Sequence, residues 1–197
     1  MTERRLILAS GSRSRASLLA NAGIGAQIVK PGVDEDALKQ AFSGDADELA
    51  LLLARAKAEK VSRDEPDAWV IGADQTLSCE DRLFDKAQTL AEARRNLEFL
   101  RGRRHRLHSA IALAHQGKTV WNTVSVADLV MRAFSDASLD AYIETVGETM
   151  LSSVGCYQLE GPGIALFEKI EGDYFTILGL PLLPLLEALR AQGLVSA

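Results

Sequence analysis

The sequence predicts an α/β fold built on a mixed sheet, because short apolar runs typical of buried strands alternate with segments of helical periodicity. Two of the predicted strands are separated by Gln116-Gly117, a pair typical of a hairpin turn, so part of the sheet is expected to be antiparallel. The chain has 197 residues, of which 47% are hydrophobic, enough for a substantial core. We therefore expect residues 1–197 to form a single domain, which at this length can fold as two lobes.

The first half of the chain is predicted to alternate strands with helices. Its expected elements are a strand at 5–9, a small polar turn at 10–15, a helix at 16–22 closed by Gly23, a strand at 28–30, a helix at 48–62 and a strand at 69–73. The helix at 48–62 is the clearest, because Leu49, Leu52, Leu53 and Ala56 recur at helical spacing and form one apolar face. The strand at 69–73 leads directly into Asp74, so we expect this carboxylate at the strand's carboxyl end.

The second half adds the hairpin and three further helices. Its expected elements are a helix from 90 that stops at Gly102, strands at 107–114 and 119–131, a helix at 138–146, a glycine-bounded loop at 155–163, a strand at 164–170 and a helix at 182–192. Thr89 and Glu92 match a capping box before the first of these helices. Apolar residues of the last helix belong either to the core or to a homodimer surface: Leu182, Leu185, Leu186 and Leu189.

Composition and charge exclude several classes of protein. The chain carries 22 basic and 27 acidic side chains, a net charge of −5, whereas proteins that bind nucleic-acid polymers or membrane surfaces are normally basic. Its longest apolar stretch, at 177–186, is far shorter than the roughly 20 residues that span a bilayer. Cys79 and Cys156 make no disulfide framework, and the spacing of His105 and His108 places them on opposite faces of a strand, which excludes a metal pair. We expect a cytoplasmic protein.

The turn at 10–15 is a candidate anion site. It lies between a strand and a helix, where backbone N–H groups and the helix dipole favour a phosphate, and Arg13 and Arg15 add positive charge. Taken alone, the same residues also fit an ordinary helix cap beside two solvated arginines. No Gly-Lys-Ser/Thr sequence follows, so the turn is not a P-loop.

Asp74 is a candidate catalytic or metal-binding residue. Open α/β sheets bind ligands at the carboxyl ends of their strands, and a carboxylate there can hold a divalent metal or accept a proton from water. A residue that merely caps the strand end is the alternative. In isolation, Lys57 and Lys86 are weaker signals, because a lysine beside an apolar helical face or in a loop is ordinarily solvated at its tip. Glu35 belongs to the acidic run at 34–36, which is ordinarily a solvated loop.

Several short segments together carry a family resemblance. They are LASGSRSR at 8–15, with Leu18, Leu19 and Gly23 after it; VDE at 33–35; Ala54, Lys57 and Ala58; IGAD at 71–74; DK at 85–86; GCYQLEG at 155–161; EGDY at 171–174; and GLP at 179–181. This set resembles the Maf family of nucleoside triphosphate pyrophosphatases. Each match is weak by itself, but the set covers almost the whole chain in the family's order.

The resemblance implies a reaction, a cofactor and roles for individual residues. The family hydrolyses a nucleoside triphosphate to the monophosphate and pyrophosphate with Mg²⁺ or Mn²⁺, in a two-lobed α/β fold similar to inosine triphosphate pyrophosphatases, with the active site in the cleft between the lobes. Asp74 matches the family's proton acceptor and, with Glu35, would hold the metal. The residues that match its phosphate-binding positions are Ser10, Ser12, Arg15, Lys57 and Lys86.

Three positions bear on the nucleotide base. Ser14 stands where the family has an arginine, and Arg13, one residue away, can reach the same phosphate. The residue types at Gln75 and Glu160 resemble those of the family branch that acts on 7-methyl-GTP rather than those of the branch that acts on dTTP and UTP. A carboxylate accepts two parallel N–H bonds from a guanine edge and favours a cationic methylated ring. We therefore expect a preference for 7-methyl-GTP or another purine nucleotide, with dTTP or UTP as the alternative.

A second class of function stays open at this point. The leading hypothesis is an enzyme that removes modified or non-standard nucleotides, because Asp74 beside Glu35, Lys57 and Lys86 suits turnover. The alternative is a regulatory protein that senses nucleotides and restrains cell division or septum formation. Tight nucleotide binding without release of pyrophosphate would identify the second.

Overall fold

The computed structural model describes residues 5–196, so residues 1–4 and 197 of the predicted domain lie outside the described range. The strands are β1 (Leu6–Ala9), β2 (Gln27–Val29), β3 (Trp69–Cys79), β4 (Arg82–Phe84), β5 (Arg104–His115), β6 (Lys118–Met131) and β7 (Phe167–Glu171). The helices are α1 (Arg13–Asn21), α2 (Glu35–Ala41), α3 (Ala46–Asp64), α4 (Leu90–Leu100), α5 (Asp136–Val146), α6 (Tyr174–Ile177) and α7 (Leu182–Ala191), with short 3₁₀ helices at Gly147–Ser152 and Pro162–Leu166.

The strands form one mixed sheet, which confirms the predicted fold class. Its order is β2-β1-β3-β5-β6-β7, and β4 pairs with β3 beside this path. β1 runs parallel to β2 and β3, whereas β4 is antiparallel to β3 and β7 is antiparallel to β6. The predicted turn between β5 and β6 is present, with φ of 51° at Gln116 and 76° at Gly117.

The chain divides into two compact units. The first unit contains the described residues up to Gln75, together with Ser109–Ser125 and the residues from Tyr174 onward. The second unit contains Thr76–His108 and Val126–Asp173. The predicted cleft stays a prediction.

The first unit has a sheet covered by helices on both faces. On one face, leucines of α1 and α7 pack against β1, β3 and β5; the buried residues there include Leu8, Leu19, Ile71, Ile111, Leu185 and Leu189. On the other face α3 packs through small residues, among them Ala54 and Ala58. Of the two readings of the last helix, the core is therefore correct for Leu182, Leu185 and Leu189, which are at most 4% exposed.

A glycine allows α3 to approach β3 unusually closely. A Cβ atom added at Gly72 would lie 2.2 Å from the carbonyl oxygen of Ala54 and 2.6 Å from the backbone nitrogen of Ala58. Only hydrogen fits at that distance, so the helix backbone rests directly on the strand. Lys57 stands between those two alanines in the sequence, and the close approach therefore brings it to the sheet.

The second unit contains α4, α5, β7 and the first residues of β5, of which His105, Leu107 and His108 are buried. The predicted cap of α4 is present, since Thr89 Oγ1 accepts the backbone N–H of Glu92 at 3.2 Å. His105 Nε2 lies 2.8 Å from the hydroxyl of Tyr157, while His108 Nε2 lies 2.7 Å from Ser78 Oγ. The two histidines thus have separate partners. In the described residues no helix is long and apolar enough to cross a membrane.

Four sequence predictions need correction in their boundaries. Asp74 does not follow a strand but lies inside the 11-residue β3, because the strand continues past its pairing with β1 and then pairs with β4. The helix predicted from residue 16 begins at Arg13, capped by Ser12. The acidic loop at 34–36 opens α2, with Asp34 as its cap. The strand predicted at 164–170 is a 3₁₀ helix up to Leu166, and β7 begins only at Phe167.

Candidate active site

The turn after β1 is organised around two serines. Ser10 Oγ accepts the backbone N–H of Ser12 at 3.2 Å, and Ser12 Oγ accepts the backbone N–H of Arg15 at 3.4 Å. Ser12 is thus the N-cap of α1, whose first residue is the exposed Arg13. Both readings of this turn are compatible with the geometry, since a helix N-terminus that is capped still carries the positive end of the helix dipole.

Arg15 connects this turn to β3 and to the segment after α6. Its Nη1 donates to the carbonyl oxygen of Ala73 at 2.8 Å and to Ser10 Oγ at 3.3 Å, and its Nε donates to the carbonyl oxygen of Gly179 at 2.8 Å. Burial lowers the pKa of Arg15, and the negative charges of Asp74 and Glu35 oppose that effect. The guanidinium is therefore a fixed cation close to the predicted catalytic carboxylate.

Asp74, Lys57 and Glu35 form a compact charged group. Lys57 Nζ lies 2.5 Å from Asp74 Oδ1 and 2.8 Å from Glu35 Oε1. The side chains of Lys57 and Asp74 are only 8% and 11% exposed, whereas that of Glu35 is 39% exposed. One ammonium group thus bridges two carboxylates from different elements, α2 and β3.

Local sequence explains why these three groups meet. Gly72 and Asp74 are two residues apart on β3 and therefore share a face, the face on which α3 rests. Lys57 lies next to Ala58, which contacts Gly72, so its stem follows the helix surface to the carboxylate. Glu35 is the first residue of α2, in a helix start fixed by the bond from Ala37 N to Asp34 Oδ1 at 3.0 Å.

Gln75 points to the opposite face of β3 and is held by residues that the sequence analysis did not identify. Its Nε2 lies 2.8 Å from Ser109 Oγ, 3.1 Å from the carbonyl oxygen of Thr176 and 3.0 Å from that of Ile177. Ser109 Oγ in turn donates to the carbonyl oxygen of Thr176 at 2.7 Å. The amide nitrogen of Gln75 is thus bound within the protein, and the oxygen of the same amide is an acceptor only.

Gly179 separates Arg15 from Gln75. A Cβ atom there would lie 3.3 Å from Arg15 Nε and 3.6 Å from Gln75 Cδ, and the residue has a φ of 87°. A larger side chain would be strained at that φ and would crowd the Arg15 guanidinium, while its Cβ would only touch Gln75. In the sequence, Gly179 belongs to the segment GLP at 179–181, which is part of the family resemblance but does not by itself indicate a role for the glycine.

The other predicted site residues belong to separate places in the chain. Lys86 and Glu160 lie in the second unit and are exposed, and the carbonyl oxygen of Lys86 accepts Gln88 Nε2 at 3.1 Å. Ser14 lies in the first turn of α1 and is half-buried. The roles of Lys86, Glu160, Ser14 and Arg13 stay predictions.

The donor set fits a hard divalent cation held in part by the protein. Glu35 and Asp74 supply carboxylate oxygens, the ligands that Mg²⁺ and Mn²⁺ prefer. Between residues 5 and 196 no group of three or more His, Cys, Asp or Glu side chains comes together in a way that could hold a metal ion. Mg²⁺ sites commonly use one or two carboxylates and take their remaining ligands from water and substrate phosphates, and these residues match that pattern.

The sequence matches the family model described as Maf-like protein over residues 5–192. This chain belongs to the Maf-like protein family. The match spans both units and includes the turn after β1, Lys57, Asp74 and Gln75.

Relatives in this family carry two different names. A nucleoside triphosphate pyrophosphatase of Caulobacter vibrioides is 53% identical over 189 residues, with 94% of each chain covered. A 7-methyl-GTP pyrophosphatase of Rhizobium meliloti is 49% identical over 195 residues, with 98% of each chain covered. A solved dITP/XTP pyrophosphatase of Mycobacterium abscessus aligns with a TM-score of 0.42 at 14% identity, over 95% of this chain and 97% of that one, a likeness too low to bear on function.

Proposed function

We propose that this Maf-like protein hydrolyses nucleoside triphosphates to nucleoside monophosphates and pyrophosphate, with Mg²⁺ or Mn²⁺ as cofactor. The observation that carries the proposal is the meeting of Asp74, Lys57 and Glu35 on one face of β3, with the half-buried Arg15 nearby. Such a group offers a base, a cation for phosphate and two metal ligands in one place. The names of relatives at about 50% identity support the same reaction class.

Asp74 is suited to receive the proton of the attacking water. Lys57 contacts Oδ1 of Asp74, and within residues 5–196 no hydrogen-bond partner is found for Oδ2. In the proposed step the water oxygen bonds to the α-phosphorus and its proton passes to Asp74. The bond between the α-phosphorus and the α–β bridging oxygen breaks, and its electron pair leaves with pyrophosphate.

Positive charge must balance a triphosphate that carries about four negative charges near neutral pH. Arg15 and the N-terminus of α1 are fixed on one side of β3, while Lys57 lies on the other. A divalent cation held by Glu35 and Asp74 would neutralise further phosphate charge and polarise the α-phosphate. We assign Ser10, Ser12, Arg13 and Lys86 to phosphate binding on the family pattern.

The preferred base is proposed from Gln75 and Glu160. Since the amide nitrogen of Gln75 is bound within the protein, Gln75 offers an acceptor, and a carboxylate at Glu160 offers only acceptors. Guanine presents adjacent N–H donors on its pairing edge, whereas uracil and thymine present one N–H between two carbonyl oxygens. The pair therefore favours 7-methyl-GTP or another guanine-type nucleotide, with Ser14 as a further position that affects selection.

A nucleotide panel tests the proposal. Pyrophosphate release is measured for 7-methyl-GTP, GTP, ITP, dTTP and UTP with Mg²⁺ or Mn²⁺, for wild type and for Asp74→Asn. We expect release that is fastest for 7-methyl-GTP and is lost in the variant. Preference for dTTP or UTP would overturn the base assignment, and binding without release from any nucleotide would identify a sensor in place of an enzyme. We place the reaction in the cytoplasm, where nucleotide pools are used.

A further inference from the structure

Lys57 occupies the place where a cation would bind to Glu35 and Asp74. Its ammonium nitrogen lies 2.5 Å from Asp74 Oδ1 and 2.8 Å from Glu35 Oε1. These distances leave no space for a second cation between the same two oxygens. Without a nucleotide, the two carboxylates therefore already have a positive partner that belongs to the protein.

The charge balance of the group agrees with this. Lys57 brings one positive charge to the two negative charges of Asp74 and Glu35. Arg15, which interacts electrostatically with both carboxylates, adds a second positive charge, so these four side chains together are neutral before any ligand binds. A divalent ion bound to these carboxylates would lie close to the buried Lys57 ammonium and would be repelled by its positive charge. The net attraction for a free metal ion is consequently small.

We propose that Lys57 is a built-in placeholder for the metal, and that the metal enters only together with the nucleotide. This inference rests on the proposed function, because it needs a triphosphate as the incoming partner. When the nucleotide binds, the Lys57 ammonium exchanges its carboxylate partners for a phosphate oxygen. The oxygens of Asp74 and Glu35 are thereby released for the cation.

The structure of the side chain makes this exchange feasible. A lysine carries its charge as a compact ammonium on a flexible four-carbon stem, so the charged end can move by several ångströms while the stem stays packed. The backbone of Lys57 is fixed between Ala54 and Ala58, which rest on Gly72. The partially exposed Glu35, at 39%, marks the side from which a ligand can reach the ammonium.

Manganese binding to the nucleotide-free protein tests the proposal directly. Unbound Mn²⁺ is measured by electron paramagnetic resonance at increasing protein concentration, for wild type and for Lys57→Met. Removing the ammonium leaves two carboxylates without a counter-charge, and close charge pairs couple strongly. We expect Mn²⁺ to bind Lys57→Met at least about tenfold more tightly than wild type.

Matched variants separate this effect from a general loss of a lysine. Lys60 lies on the same helix and contacts Asp64 at 2.5 Å in an exposed pair. Lys60→Met therefore removes a lysine and an equally short ion pair away from the site, and it should leave Mn²⁺ binding unchanged. Lys57→Arg keeps the charge and should bind Mn²⁺ as weakly as wild type. The double change Lys57→Met with Glu35→Gln should lose most of the gain, since it removes one of the two oxygen ligands.

Folding of the variants is followed in the same experiment. Lys57→Gln is measured beside Lys57→Met, and the midpoint of thermal unfolding is recorded with and without Mn²⁺. A neutral variant that becomes more stable with Mn²⁺, while wild type does not, gives the same answer as the binding titration. Mn²⁺ affinity that is equal or weaker in both neutral variants would overturn the placeholder role.

The outcome is distinguishable from failure of the proposed reaction. Hydrolysis in the nucleotide panel without any gain of Mn²⁺ affinity in the neutral variants rejects the placeholder and keeps the enzyme. Tighter Mn²⁺ binding without hydrolysis of any nucleotide rejects the enzyme and leaves Lys57 as the group that competes with metal.

Discussion

The contact between α3 and β3 at Gly72 predicts a substitution that disturbs stability and activity together. In Gly72→Ala the added Cβ would lie 2.2 Å from the carbonyl oxygen of Ala54 and 2.8 Å from the Cβ of Ala58. Ordinary van der Waals contact begins at 3.4 Å, so the backbone of α3 must withdraw by about 1.2 Å. The contacting atoms are backbone atoms and a Cβ, which no side-chain rotation can move, so the contact cannot be relieved without shifting the helix.

The size of the effect follows from that displacement. Forcing an extra methyl group into a packed core costs typically 1–3 kcal/mol, and the backbone contact places Gly72→Ala toward the upper end, about 3 kcal/mol. Lys57 moves with α3, whereas Asp74 stays in β3, so the 2.5 Å contact between them is also disturbed. A misplacement of about 1 Å can lower a rate by about a hundredfold, and we expect a loss in kcat of that order.

Two measurements with one control check this reasoning. Urea unfolding gives the free energy of unfolding, and pyrophosphate release gives kcat, for wild type, Gly72→Ala and Gly25→Ala. Gly25 has no atom within 4 Å of an added Cβ and no positive φ, so its substitution should change neither quantity much. If Gly72→Ala unfolds within about 0.5 kcal/mol of wild type, the direct packing of α3 on the strand is refuted.

Three further predictions concern chemistry, capping and pH. Asp74→Asn should lower kcat by about 10²–10⁴-fold while nucleotide binding persists, and a variant with wild-type turnover would show that another group accepts the proton. Thr89→Ala should lower the free energy of unfolding by about 1 kcal/mol, measured by urea unfolding, because the N–H of Glu92 loses its acceptor; no change would contradict the cap. Burial lowers the pKa of His105 from 6.5 to about 4, so the unfolded chain binds a proton between those values that the folded protein does not. The contribution of neutral His105 to the free energy of unfolding should therefore be fully present above pH 6.5 and be lost toward pH 4, a fall of about 3 kcal/mol. In His105→Gln the free energy of unfolding should depend less steeply on pH; equal slopes in the variant and wild type would exclude His105 as the cause.

Local sequence signals predicted the elements that depend on local interactions. The helix α3 and the cap of α4 depend on residues within a few positions of one another, and both are present. The predicted inner face of α3 is only partly correct, because Leu49 and Leu53 are buried whereas Leu52 and Ala56 are half-buried. The continuation of β3 past Asp74 depends instead on β4, a three-residue strand too short to show an alternation pattern. The acidic run at 34–36 predicts a solvated loop by its charge, whereas the structure begins α2 at Glu35 because Asp34 caps its N-terminus.

The same distinction applies to the candidate site, where some residues can be predicted from the local sequence and the contacts between them depend on tertiary packing. The apolar run before Asp74 points to this residue directly. The other site residues follow only from the family resemblance, because positions along the chain do not show which side chains lie close together in the fold. Lys57 illustrates the difference, since a lysine beside an apolar helical face is ordinarily solvated at its tip. Its ammonium is buried here because Gly72 admits the α3 backbone to the strand, and two carboxylates from other elements then supply its partners. The residue that decides the burial of Lys57 is therefore a glycine fifteen positions further along the chain, and this dependence follows from tertiary packing.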